Sequence, residues 1–119
     1  MMRKGVLVLP EARRRANRGP AASGAKELSA IVTERRMFEF HKPIRVTDRE
    51  ENGVWVHECK ALNIMAYAET REESWRAFID YFESDWDTIA QREDSRLTRD
   101  AQELKQEYLG LVKSVRPVL

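Results

Sequence analysis

GVWVHECKALNIMAYAETREESWRAF, residues 53–78, decides the fold. Val54–Lys60 is rich in β-branched and aromatic residues and reads as a strand. A short connection at Ala61 and Leu62 leads into a further strand, Asn63–Ala68. Thr70 then stands three residues before Glu73. At that spacing a hydroxyl caps the open amides of a helix start and the Glu returns the bond. Glu72 and Glu73 also suit the positive end of the helix dipole. Beyond them Trp75, Phe78, Ile79, Phe82, Trp86 and Ile89 recur at the helical period and form one apolar stripe. Arg76, Asp80, Glu83, Asp87 and Gln91 occupy the opposite face.

Upstream, Phe38, Phe40, Ile44 and Val46 alternate as a strand does, with an interruption at Pro43. A proline has no amide to give a sheet, so it marks an edge or a bulge. Asp48–Gly53 reads as a turn, and Asn52-Gly53 is a strong hairpin signal because both residues tolerate positive φ. Downstream, a second helix opens near Thr98, with Leu104, Tyr108, Leu111, Val112 and Val115 as its stripe and Pro117 as its stop. The expected fold is therefore α+β, a three-stranded antiparallel meander followed by two helices (β-β-β-α-α) over residues 36–116. Residues 1–35 form a basic, flexible leader, with a helical turn or two over 26–35 that places Leu28, Ile31 and Val32 on one side.

The composition agrees with this division. All ten aromatic rings lie at or beyond Phe38, so the core is built there. Residues 1–36 carry nine Lys/Arg against three Asp/Glu, a net +6, and residues 37–119 carry twelve against seventeen, a net −5. An acidic body favours a basic partner, and a basic arm favours nucleic acid or the body itself. Arg13, Arg14, Arg15 and Arg18 are the arm's charges, followed by the linker-like Gly19–Gly24. A single cysteine, Cys59, permits no intrachain disulfide and fits a reducing compartment. The longest early apolar run, Val6–Leu9, is too short for a signal peptide or a membrane span, so a cytoplasmic protein with no membrane partner is expected.

No catalytic signature stands out: there is no phosphate-binding glycine loop, no nucleophile elbow, no His-Glu-x-x-His and no Cys-x-x-Cys. His57 and Cys59 share one face of a strand and His41 is a possible neighbour, but zinc wants four such ligands. No metal, cofactor or catalytic residue is assigned. A magnesium-dependent nuclease would need carboxylates converging from strands, Glu39 and Glu58 for instance. Trp55, Met65 and Tyr67 are candidates for an apolar contact surface, since aromatics and Met are enriched at interfaces. Asp80, Glu83 and Asp87, spaced by three and four residues, are candidates for an acidic docking face.

Residues 53–78 resemble the HicB-like antitoxin family. Gly53 and Val54–Val56 match that family's turn into a strand, Glu58 and Cys59 its acidic-Cys corner, Ala68-Glu69-Thr70 the turn before the helix, and Glu72 and Glu73 the helix opening. The chain departs from the pattern at Lys60, where Pro is usual, at Ala68, where Gly is usual, and at Trp75, where a small residue is common. The resemblance implies a β-β-β-α core and a non-enzymatic antitoxin that binds a small basic ribonuclease toxin and masks its RNA-binding surface. The family usually adds a DNA-binding segment after this domain. The helix expected over residues 100–115 does not make one, so contact with DNA falls to the N-terminal arm, and a nucleic-acid-binding transcriptional regulator is the alternative reading. Homodimerisation is also expected, because a small meander leaves open strand edges.

Overall fold

The computed structural model describes residues 23–118. Its frame is a sheet of five antiparallel strands: β1 (Ser23–Val32), β2 (Arg36–Glu51), β3 (Val54–Cys59), β4 (Ile64–Ala68) and β5 (Val112–Pro117). Between β4 and β5 come two helices, α1 (Arg71–Asp85) and α2 (Arg99–Leu111). The order across the sheet is β1-β2-β3-β4. The long strand β2 takes β1 along one side, and along the other side β5 pairs with its first residues and β3 with its last. Among the described residues, no helix is long and apolar enough to cross a membrane.

The α+β class holds, but the sheet has five strands where three were expected. Both additions come from segments read as helical. The turn expected within 26–35 is part of β1, and the end of the second helix, from Val112, is β5. Each added strand carries a register shift. Between Leu28 and Ala30 of β1 a single residue, Ser29, faces the stretch from Phe40 to Pro43 of β2. Between Ser114 and Val112 of β5, Lys113 is the extra residue. Pro43 therefore sits in the arch of a bulge, where a missing amide costs no ladder bond. The Asn52-Gly53 hairpin forms as expected, with φ of 53° and 81° at its two central residues.

Thr70 caps α1, its hydroxyl accepting from the Glu73 amide at 3.0 Å. Thr98 caps α2 likewise, accepting from the Ala101 amide at 3.2 Å. Past Asp85 the chain of α1 widens into one π-type turn, Trp86–Ala90, which swings the Trp86 ring edge-on to Phe38, with centroids 5.8 Å apart. Both helices lie on the face of the sheet that presents Phe38, Phe40, Ile44 and Val46. Phe82 is the hub between the layers, with ring centroids 5.0 Å from Phe38, 5.8 Å from Phe40 and 5.3 Å from Tyr108. The Tyr108 hydroxyl reaches out of this apolar centre and donates to the buried Asp85 carboxylate at 2.8 Å.

Candidate functional site

The start of α1 is fastened to the sheet by a buried polar chain. His57 on β3 lies directly opposite Asp48 on β2 in the register, and both side chains face the helix. The imidazole Nδ1 is 2.6 Å from the Ser74 hydroxyl on α1, and Nε2 is 3.5 Å from Asp48 Oδ2. Arg71, the first residue of α1, donates from Nε to the same oxygen at 3.0 Å and lays its guanidinium over the Trp55 ring. The other oxygen, Asp48 Oδ1, is buried without a hydrogen bond and abuts Gly24, where a Cβ would come within 3.1 Å of it. Burial pushes the His57 pKa down to about 4. The Asp48 charge opposes that shift, while Lys26 and Arg71 add to it.

This set has the membership of a serine-hydrolase triad, but Ser74, His57 and Asp48 are only 0, 1 and 3 % exposed. A nucleophile sealed in this way meets no substrate, so the arrangement fastens helix to sheet. Burial also pushes the Cys59 thiol pKa up, the opposite of what a reactive cysteine needs. Among the described residues no three His, Cys, Asp or Glu side chains converge to hold an ion. His41 is exposed in the β2 bulge, Glu39 is engaged by Ser114 and Arg116, and Glu58 is engaged by Arg49.

The outer side of α1 differs from its sequence reading. Glu83 and Asp87 are matched within the domain by the β1–β2 turn. Thr33 folds the turn, its hydroxyl accepting from the Arg35 and Arg36 amides and donating to Glu83 at 3.1 Å. Arg36 Nε donates to Glu83 at 2.8 Å, and its NH2 group grips both oxygens of Asp87 at 2.8 and 2.9 Å. Arg35 adds a bond to Asp87 at 3.1 Å. Burial works against both charges, yet the hydrogen bonds and opposite charges outweigh it, raising the Arg36 pKa and lowering that of Asp87. Of the three acidic candidates only Asp80 is exposed and, among the described residues, without an ion pair. Replacing Arg36 with alanine is expected to cost about 1–2 kcal/mol, measured by urea unfolding, since Thr33 and Arg35 still reach the half-stranded Glu83. A cost below a few tenths would mean that the cluster is merely decorative.

What remains free lies nearer the start of α1. Glu69, Glu72, Glu73 and Asp80 are all exposed with no ion pair among the described residues; of the exposed cations in the same stretch, Arg71 is paired with Asp48 and Arg76 has no ion pair among the described residues. From the sequence, Glu73 is assigned to the cap with Thr70, Glu72 and Glu73 to the helix dipole, and Glu69 to a turn. Their three- and four-residue spacing with Arg76 and Asp80 was the available signal. Beside this acidic ridge runs an open groove of about 410 Å³ between α1 and the edge of β4, lined by Tyr67, Ala68 and Ala77 together with Glu69, Glu73, Arg76 and Asp80. A second, larger groove of about 970 Å³ lies on the other flank of α1, against Val32 and the Arg35 turn.

The apolar candidates fall on two faces. The register places Trp55 opposite Ala68, on the helix side, and Tyr67 opposite Val56 and Met65 opposite Glu58, on the other side. Met65 and Tyr67 stay together there, the Tyr67 hydroxyl lying 2.6 Å from the Met65 sulfur, but they form no single surface with Trp55. The proposed nucleic-acid arm, Arg13, Arg14, Arg15 and Arg18, lies outside the described residues. Compared with known proteins, the chain matches no protein-family model, no curated protein and no solved structure.

Proposed function

We propose that this domain is a non-catalytic, antitoxin-like binding module. It neutralises a small basic ribonuclease toxin by covering the surface with which that toxin holds RNA. The observation that carries the reading is the ridge of Glu69, Glu72, Glu73 and Asp80, four exposed carboxylates with no ion pair among the described residues. A basic nuclease presents cations in order to bind phosphates, and carboxylates along a rigid helix and the turn leading into it compete for those same cations. Such complementarity speeds encounter and selects the partner. The resemblance of residues 53–78 to HicB-like antitoxins points the same way, and the sealed state of Ser74, His57 and Asp48 fits a role without catalysis.

The test is co-expression with each small basic protein encoded by a neighbouring reading frame, followed by growth and co-purification. The expected result is growth arrest by the basic protein alone, relief on co-expression, and a stable complex. Reversing the ridge with Glu69→Lys, Glu72→Lys, Glu73→Lys and Asp80→Lys is expected to abolish relief while leaving the fold intact, since all four are exposed. Relief undiminished by that variant would remove the ridge from the account.

A further inference from the structure

Resting on the binding reading above, we propose that the β4 edge and its groove take an extended segment of the partner, one in which apolar residues alternate with lysine or arginine. The segment adds as a new strand beside Ile64–Ala68. Three features meet there. Among the described residues no strand pairs with the outer side of β4, so its amides and carbonyls stand ready to template another strand. Directly beside that edge Ala68 and Ala77 are small, and the groove they leave, about 410 Å³, has room for apolar side chains pointing toward α1. Around its rim Glu69, Glu73 and Asp80 have no ion pair among the described residues, and Arg76 is the one cation in the groove's lining, so the rim selects cations.

Among the described residues the far edge of the sheet, β1, is also open, but its charges differ. The groove beside it shares Glu72, Arg76 and Asp80 with the ridge and adds Glu34, but its Glu83 and Asp87 are already matched by Arg35 and Arg36, and Lys26 of β1 stands 4.6 Å over the Trp75 ring. An extended basic segment therefore finds complementary charge on the β4 side and repulsion from Lys26 on the β1 side. Strand addition supplies affinity through the main chain, and alternate side chains supply specificity. One set enters the Ala68–Ala77 groove and the other meets the acidic rim or solvent.

The experiment uses the full chain and a labelled, acetylated peptide of alternating lysine and valine, followed by fluorescence anisotropy and by amide NMR shifts. The expected result is binding with shifts concentrated on Ile64–Ala68. Affinity should fall about tenfold or more when alternate peptide amides on the pairing side are N-methylated, as the loss of main-chain bonds requires. A similar fall is expected for Ala77→Trp, which fills the groove without changing charge, and for Glu73→Lys with Asp80→Lys, which leaves the groove open. The pair Glu103→Lys with Glu107→Lys, exposed on α2, changes net charge equally and should leave affinity within about twofold at moderate salt.

Equal weakening by the α2 pair, or full binding of the N-methylated peptide, would overturn the proposal. So would self-association of the chain that Ala77→Trp abolishes, because a second copy would then own the edge. The two readings fail separately. Peptide docking at β4 with no neighbouring basic protein bound sinks the antitoxin reading and keeps this site. A basic protein neutralised equally well by wild type, Ala77→Trp and the Glu73/Asp80 reversal keeps the antitoxin reading and sinks this site.

Discussion

Replacing Phe82 with alanine is expected to lower the unfolding free energy by about 3–5 kcal/mol, the usual cost of deleting a fully buried aromatic ring. Phe82 has no exposed surface, and its ring meets Phe38 and Phe40 from the sheet and Tyr108 from α2. Three elements thus share one side chain, and no neighbour can close the void without leaving another contact. Domains of this size are stable by only about 5–15 kcal/mol, so the variant gives up a large share of the total. Urea unfolding followed by Trp fluorescence measures the loss. A midpoint shift equivalent to less than about 1 kcal/mol would mean that the layers are not joined through this ring.

Acid is expected to weaken the domain through His57. In the unfolded chain the imidazole takes a proton near pH 6.5, whereas in the fold it resists until about pH 4 because protonation would place a charge in a dry site. The contribution is complete above about pH 6.5 and is lost as pH falls through 4. The total is roughly 3 kcal/mol, from about 1.4 kcal/mol for each unit of separation. The groups facing the ring act in both directions, Asp48 on β2 favouring the proton and so limiting the shift, Lys26 on β1 and Arg71 on α1 opposing it and so enlarging the shift. Carboxylates titrate in the same range, so the informative quantity is the difference between wild type and His57→Gln. The wild type is expected to lose roughly 3 kcal/mol more than the variant between pH 7 and 4. Parallel stability curves for the two proteins would show that the imidazole does not resist protonation. The Asp48–His57–Ser74 chain would then have to be open to water.

Much of the fold was legible because it is encoded locally. Asn52-Gly53, the Thr70 cap, the start of the second helix near Thr98, and the stripe from Trp75 to Trp86 each lie within one turn or one helix. β1 and β5 were not legible, and for a shared reason. A bulge in each strand breaks the two-residue alternation, so Leu28 and Ile31 in one and Val112 and Val115 in the other face the core three residues apart. That spacing is indistinguishable from a helical stripe until the pairing with β2 is known. In β5 it also continues in phase from Tyr108 and Leu111.

The candidate site was legible in kind but misplaced along α1. Asp80, Glu83 and Asp87 share one side of the helix, and nothing local reveals that Arg35 and Arg36, some fifty positions earlier, close over the last two. The split of Trp55 from Met65 and Tyr67 has a similar origin. It follows from the Cys59–Ile64 pairing, which the 3₁₀ turn Lys60–Leu62 and the left-handed Asn63, φ 56°, fix between the strands. An odd residue of β3 therefore faces the same way as an even residue of β4. A connection one residue longer would have reversed that parity.

Purified proteins show whether the acidic ridge at the start of α1 blocks a basic ribonuclease, as proposed. RNA cleavage by the basic partner is titrated with the wild-type chain and with the variant carrying Lys at residues 69, 72, 73 and 80. Complete inhibition is expected near one equivalent of wild type, and inhibition by the variant is expected to weaken about a hundredfold or more, as for several lost charge pairs at an interface. Cleavage that continues at full rate in excess wild type, or inhibition equally strong with the ridge reversed, would contradict the proposal.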